Sequence, residues 1–259
     1  MRWRYGLWTA AAVLAVAGSL LAWQQLDHFL IRDPRFALAA PIEDEGGSLM
    51  LAGARHASLE NIYRVFTPDA GRSVYLLPLA ERRRQLLAVE WVHDATITRI
   101  WPNRLAVRVE ERKPVAFVQL AGGETGLVDA DGVLLPPVST GQFKLPVVTG
   151  LRREMSEGTR RERVRRMLKL QSEFGGEMSR VSEIDLSDME NLKVVFPRGN
   201  HALTLHLGQA RFGIRLRLFL ENLAEVEQKL PNARVLDLRL EDRIVSVQAD
   251  AKEGLPSAE

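Results

Sequence analysis

The sequence contains no cysteine, which excludes a disulfide framework and any thiolate metal site. It has no strong excess of charge either. Its 35 Lys and Arg stand against 33 Asp and Glu, a formal net charge of +2, where a nucleic-acid binder gathers a marked basic surplus. No Gly-x-Ser-x-Gly, His-Glu-x-x-His or Gly-Lys-Ser/Thr segment occurs, so the familiar nucleophile, zinc and phosphate motifs are missing. The five histidines (His28, His56, His93, His201 and His206) include no pair at short helical spacing. His201 and His206 point to opposite faces of one expected strand, which argues against a shared metal. Long repeats and low-complexity blocks are lacking as well. What remains is an apolar-rich chain, 46% hydrophobic over 259 residues, able to bury a core.

The N-terminus carries the strongest single signal. Arg2 and Arg4 precede a charge-free apolar run from Tyr5 to Leu26, bracketed by Trp3, Trp8 and Trp23. About 20 helical residues rise roughly 30 Å, the depth of a bilayer's hydrocarbon core. The arginines suit a cytoplasmic N-terminus and the tryptophans suit the interfaces. The rival reading is a cleaved signal peptide, with Ala15-Val16-Ala17 or Ala37-Leu38-Ala39 as small-residue sites. The first lies inside the apolar run and the second well past its end, so an uncleaved anchor is expected.

Beyond a connector limited by Pro34 and Pro41, the order is strand (Ser48–Ala52), helix (from the N-cap Ser58 to Phe66), helix (Leu79–Ala88), then a hairpin. Its strands, Val92–Ile100 and Arg104–Glu111, flank Trp101-Pro102-Asn103, and Trp101 is expected to pack against the hairpin base. After Pro114 the chain turns β-rich: Val115–Gln119, Gly126–Val128, Val133–Leu135, Val181–Leu186, Leu192–Phe196 and Ala202–Leu207 read as strands, with a loop after Pro136-Pro137 leading to Leu145-Pro146-Val147-Val148. Two helices interrupt them. Gly158–Phe174 presents Val164, Met167, Leu168, Gln171 and Phe174 on one face, and Phe212–Leu230 is apolar at three- and four-residue spacings. Two last strands, Val235–Leu240 and Ile244–Gln248, flank Glu241-Asp242-Arg243 ahead of a polar tail.

Three segments invite a functional reading. Asp129-Ala130-Asp131-Gly132 starts like a calcium loop, but Leu134, Leu135 and Pro136-Pro137 stand where later oxygen ligands belong, so a turn is expected. Arg152–Lys169 holds eight basic residues against Glu154, Glu157 and Glu162; this reads as a solvated face, with an acidic partner or anionic lipid as the rival. Arg82-Arg83-Arg84 is read the same way, with phospholipid headgroups as its rival contact. The closing strands are the best binding candidate. Val235, Leu236, Leu238 and Leu240, then Ile244, Val245 and Val247, are β-prone and free of proline. A terminal strand at a sheet edge offers unpaired N–H and C=O groups to a partner strand. Arg239 adds a cation for a partner acid, and coverage of the edge by another strand is the competing outcome.

Val89-Glu90-Trp91-Val92, the strand leading to Arg99-Ile100-Trp101-Pro102, and Val109-Glu110-Glu111-Arg112-Lys113-Pro114-Val115-Ala116 resemble the FtsQ/DivIB family of bacterial division proteins. So do Gly126-Leu127-Val128-Asp129-Ala130-Asp131-Gly132, Leu145-Pro146-Val147-Val148-Thr149-Gly150 and Leu236-Asp237-Leu238-Arg239-Leu240, in the same order behind an anchor. Leu240 departs from the aromatic common there. The resemblance implies an α+β chain: a stub (1–4), a transmembrane helix (5–26), a linker (27–41), a POTRA-like domain (42–114), a β domain with two amphipathic helices on an extended sheet (115–248) and a loose tail (249–259). It also implies a non-enzymatic scaffold at the division septum, with its bulk outside the cytoplasm and no cofactor. FtsB- and FtsL-type partners would be captured by strand addition through Val235, Leu236, Asp237, Leu238, Arg239, Leu240, Ile244, Val245 and Val247, and the POTRA-like domain would contact other membrane division proteins. An envelope transport component or an anchored hydrolase are the alternatives from other classes.

Overall fold

The computed structural model describes residues 2–39, 47–138, 143–198, 201–240 and 243–247. Pro41, Gly199, Asn200, Glu241, Asp242, Gln248 and the tail from Ala249 lie outside the described residues. Backbone contacts divide the chain into two units, residues 1–112 and 113–259.

The first unit opens with helix α1, Arg2–Arg32. Its described side chains from 13 to 26 are all exposed and uncharged, a stretch of roughly 21 Å at 1.5 Å per residue. Among the described residues no helix is long and apolar enough to cross a membrane. Pro34 ends the helical path, since it lacks an N–H and its ring obstructs the preceding turn. Asp33 caps the short turn Pro34–Phe36 by accepting the Arg35 N–H at 2.9 Å.

The next elements follow their sequence signals closely. Strand β1 is Leu49–Ala52, helix α2 Leu59–Phe66, helix α3 Leu79–Leu86, and strands β2 and β3 are Val92–Ile100 and Arg104–Glu111. Ser58 caps α2, its Oγ accepting the Asn61 N–H at 3.2 Å. The sheet order is β1-β3-β2, with β1 parallel and β2 antiparallel to β3. Ile62 and Phe66 of α2, Leu86 of α3, and Val92, Ala95, Leu105, Val107 and Val109 of the strands are buried together with Trp91. Trp101, expected at the hairpin base, is 51% exposed and packs edge-on against Phe36.

Glu111 closes this unit. One carboxylate oxygen accepts the backbone N–H groups of Arg55, His56 and Ala57 at 2.6, 2.7 and 2.8 Å. Burial raises its pKa, but the three N–H donors lower it by more, so the group sits below its ordinary value. A carboxyl depressed on folding contributes stability that is present above its unfolded pKa, about 4.3, and is lost as pH falls through the lower folded value. Glu111→Gln is therefore expected to flatten the acid limb of the stability profile. Urea midpoints measured from about pH 6 downward check this, and an unchanged limb would refute it.

The second unit is built on a sheet of order β12-β11-β10-β9-β8-β7-β4-β5-β6. The strands are β4 Pro114–Gln119, β5 Thr125–Asp129, β6 Leu134–Leu135, β7 Val147–Thr149, β8 Glu183–Asp185, β9 Leu192–Arg198, β10 His201–Gly208, β11 Val235–Asp237 and β12 Val245–Ser246. Helices α4 (Glu157–Phe174), α5 (Phe212–Glu221) and α6 (Leu223–Lys229) supply the other layer. Period-two alternation sets the facing: Leu192, Val194, Phe196, Leu203, Leu205, Leu207 and Leu236 are buried in one core with Val164, Met167, Leu170, Phe212, Leu216 and Phe219.

Two helical expectations change. On α4 the buried stripe includes Leu170, while Leu168 and Gln171 lie at its margin. The single helix over 212–230 is broken at Asn222, whose φ of −103° and ψ of 11° end α5. Its side-chain amide donates to Leu218 O at 2.8 Å; such local bonding competes with helix continuation.

Part of the basic run of α4 is engaged by loop carbonyls. Arg160 Nε donates to Gly132 O at 2.7 Å, and Arg163 Nη1 to Gly150 O at 2.8 Å and Leu186 O at 2.7 Å. Arg166 reaches Asp188 O at 2.9 Å and Gly208 O at 3.1 Å. These three guanidinium groups tie the loops at the strand ends to one helix, whereas Arg152, Arg153, Arg165 and Lys169 are exposed as a solvated face would have them. In the first unit Arg82 is likewise buried, so the run Arg82-Arg83-Arg84 is not a uniform exposed patch. At Asp129 one carboxylate oxygen accepts the N–H groups of Asp131 and Val133 at 3.0 and 2.8 Å, making a side-chain-capped turn.

Candidate partner-binding edge

The last strands sit where the sheet ends. Strand β11 runs parallel to β10, with Thr204, Leu205 and His206 opposite Val235, Leu236 and Asp237. Strand β12 is antiparallel to β11, pairing Leu236 with Ser246 and Asp237 with Val245. Among the described residues, then, β11 is interior and β12 is the margin. Both are shorter than the segments expected from sequence.

The nine candidate residues divide by position. Leu236 and Leu238 are core residues, and the Leu238 N–H donates to His206 O at 3.0 Å. Val235 and Asp237 are half-buried. Ile244 packs partly against the core, whereas Leu240, Val245 and Val247 are exposed. Arg239 is engaged within the chain: its guanidinium holds the Asp237 carboxylate at 2.6 Å. That hydrogen bond is the main reason the Asp237 pKa is lowered and the Arg239 pKa raised. Any acid of a partner competes with Asp237 for this cation.

The ladder also decides which backbone groups of β12 face outward. The Val247 N–H donates to Val235 O at 3.0 Å, so Val247 faces β11. Hydrogen-bonded pairs recur every second residue in an antiparallel ladder, which turns Val245 the same way and Ser246 away from the sheet. Ser246 escaped the sequence reading because serine carries no strand signal. Alternation across Ile244–Gln248 would have marked it only with the pairing phase known.

Behind this edge a cavity of about 450 Å³ is lined by Leu218, Val226, Leu230 and Ile244 together with the polar Asn222, Glu225, Lys229 and Arg243. On the sheet face away from the helices, Asp185, Lys193, His206 and Asp237 lie in successive register on β8, β9, β10 and β11. Burial, and next the Lys193 charge, lower the His206 pKa. Among the described residues no group of three or more His, Asp or Glu is placed to hold a metal ion.

Comparison with known proteins supplies the family context. Residues 48–112 match the model of the FtsQ-type POTRA domain, and residues 116–239 match that of the FtsQ/DivIB cell division protein C-terminal region. The chain is similar to the cell division protein FtsQ of Koribacter versatilis, 34% identical over 239 residues that cover 90% of this chain and 67% of that protein. Its likeness to the FtsQ of Myxococcus fulvus is 28% over 227 residues, 84% of this chain and 74% of the relative. A shorter match to Bordetella pertussis FtsQ reaches 39% identity over 106 residues, 41% of this chain and 37% of that one.

Proposed function

The chain belongs to the FtsQ/DivIB family of cell division proteins, and we propose that it works as a membrane-anchored scaffold that captures an FtsB-type partner by strand addition at β12. FtsL is recruited through that partner, and septal wall synthesis is regulated by the assembly. In this reading α1 is the anchor, the N-terminus is cytoplasmic and both units lie outside the cytoplasm at the septum. The work is binding and positioning, with no reaction centre.

The observation that carries the proposal is the position of β12 at the end of the sheet with Ser246 turned outward. A partner strand laid alongside would exchange backbone hydrogen bonds with Ser246. Its side chains would meet exposed Val245, Val247 and Leu240, and the cavity beside Ile244 offers a seat of mixed polar and apolar lining.

Ser246→Pro tests this directly. It removes the outward N–H and leaves the Val247–Val235 bond intact. Recovery of FtsB and FtsL with the full-length chain from native membranes is expected to fall about tenfold, the effect of roughly 1.4 kcal/mol. Ser246→Ala, which keeps the amide, is expected to bind normally. Thermal unfolding of both variants should match the parent. Undiminished recovery with Ser246→Pro would remove β12 as the site. Val247→Pro is a poorer test because it also breaks the bond to β11.

A further inference from the structure

The first unit carries an apolar patch where α1 ends. Phe29 and Ile31 of α1, Tyr75 and Leu76 of the turn Val74–Leu76, and Ile100 and Trp101 at the β2–β3 hairpin tip are each between 36% and 51% exposed. Internal contacts bring these segments together. Phe29 packs edge-on to Phe36 with ring centroids 5.5 Å apart, and Phe36 edge-on to Trp101 at 5.7 Å. Ser73 Oγ donates to Leu30 O at 2.6 Å, and Arg99 donates to Val74 O and Leu77 O at 2.6 and 2.8 Å. The hairpin tip and the turn are thus fixed to the end of the helix. Cations border them: Arg32 and Arg104 are exposed, and the Arg35 guanidinium, paired with the Asp33 carboxylate at 2.8 Å, lies 5.4 Å from the Phe29 ring centroid.

A cluster of half-exposed Trp, Tyr, Phe, Ile and Leu ringed by arginine is unusual on a surface that meets only water. Its composition matches the bilayer interface, where amphipathic aromatic rings sit among headgroups and arginines meet phosphates. We propose that this patch rests in the headgroup layer of the phospholipid leaflet from which α1 emerges, with Trp101 and Tyr75 inserted and Arg32, Arg35 and Arg104 at the phosphates. The proposal rests on the reading of α1 as an anchor. Such a contact would make the first unit a rigid foot on the membrane surface.

The absence of cysteine allows single-site labelling without background. The full-length chain in phospholipid nanodiscs would carry an environment-sensitive fluorophore at Asn103→Cys (hairpin tip), His93→Cys (the opposite end of the hairpin) or Val16→Cys (within α1). At about 3.3 Å per residue, His93 lies roughly 23 Å along β2 from Ile100. Lipids bearing a headgroup nitroxide are expected to quench most of the Asn103 signal and none of the His93 signal, while acyl-chain nitroxides quench Val16. Trp101→Asp in the Asn103 background should return that probe to the His93 level. Quenching at Val16 with Asn103 as silent as His93 overturns the proposal and leaves the anchor standing. Silence at Val16 overturns both. Quenching at Asn103 that survives Trp101→Asp refutes insertion of the indole.

Discussion

Replacing Asp69 by alanine is expected to cost the first unit about 3–5 kcal/mol, the usual consequence of leaving a buried ion without its partner. Asp69 is fully buried. Its Oδ2 accepts Arg82 Nε at 2.6 Å, and its Oδ1 accepts Arg82 Nη2 at 2.9 Å and Arg72 Nη1 at 3.2 Å. Arg82 is itself buried, and its remaining described contact is with Gln85 Oε1 at 2.8 Å. Alanine at 69 leaves that guanidinium in a low-dielectric site without a carboxylate. The double variant Asp69→Leu with Arg82→Met removes both charges and should recover much of the loss, because a buried pair is often no better than an apolar substitute. Denaturant unfolding of the parent, Asp69→Leu, Arg82→Met and the double variant gives the coupling energy. A single variant within about 0.5 kcal/mol of the parent would show that the pair is not structural.

Gly53→Ala is expected to cost at least about 3 kcal/mol, adding backbone strain to a steric conflict. Gly53 follows β1 with φ of +93°, and a Cβ there would lie 2.0 Å from Val109 O. The obstacle is strand backbone, so β1 must move away from β3 or the turn must be rebuilt. Gly71 separates the two contributions. Its φ is +76° but a Cβ would meet open space, so Gly71→Ala should show the strain alone, about 1 kcal/mol. Equal unfolding free energies for the two alanine variants would refute the steric account.

These positions also mark what a sequence can disclose. Helix α2, its Ser58 cap and the β2–β3 hairpin were legible because each is specified within a dozen residues by capping, alternation and Pro102. Nothing local announces that Asp69 and Arg82 meet, and so a run of three arginines looked uniform when one of them is buried. Helix α4 shows the same limit: Arg160, Arg163 and Arg166 look like part of a charged face until the loops carrying Gly132, Gly150, Leu186 and Gly208 fold over them. The break at Asn222 was hidden because apolar spacing continues through it to Val226 and Leu230. At the β12 margin, the strands and their place near the end of the sheet follow from the sequence. The pairing phase that aims Ser246 outward depends on the register with β11, which no local signal carries.

Among the described residues the nine-stranded sheet terminates on both sides in strands only two residues long, Val245–Ser246 and Leu134–Leu135. Margins so brief give a second copy of the chain little template for stacking, and fibre-like growth from either flank is correspondingly suppressed. They also limit what any visiting strand gains from main-chain contacts to a couple of bonds of about 1 kcal/mol each. If a partner strand docks there as proposed, it must draw most of its hold from side chains rather than from main-chain hydrogen bonds.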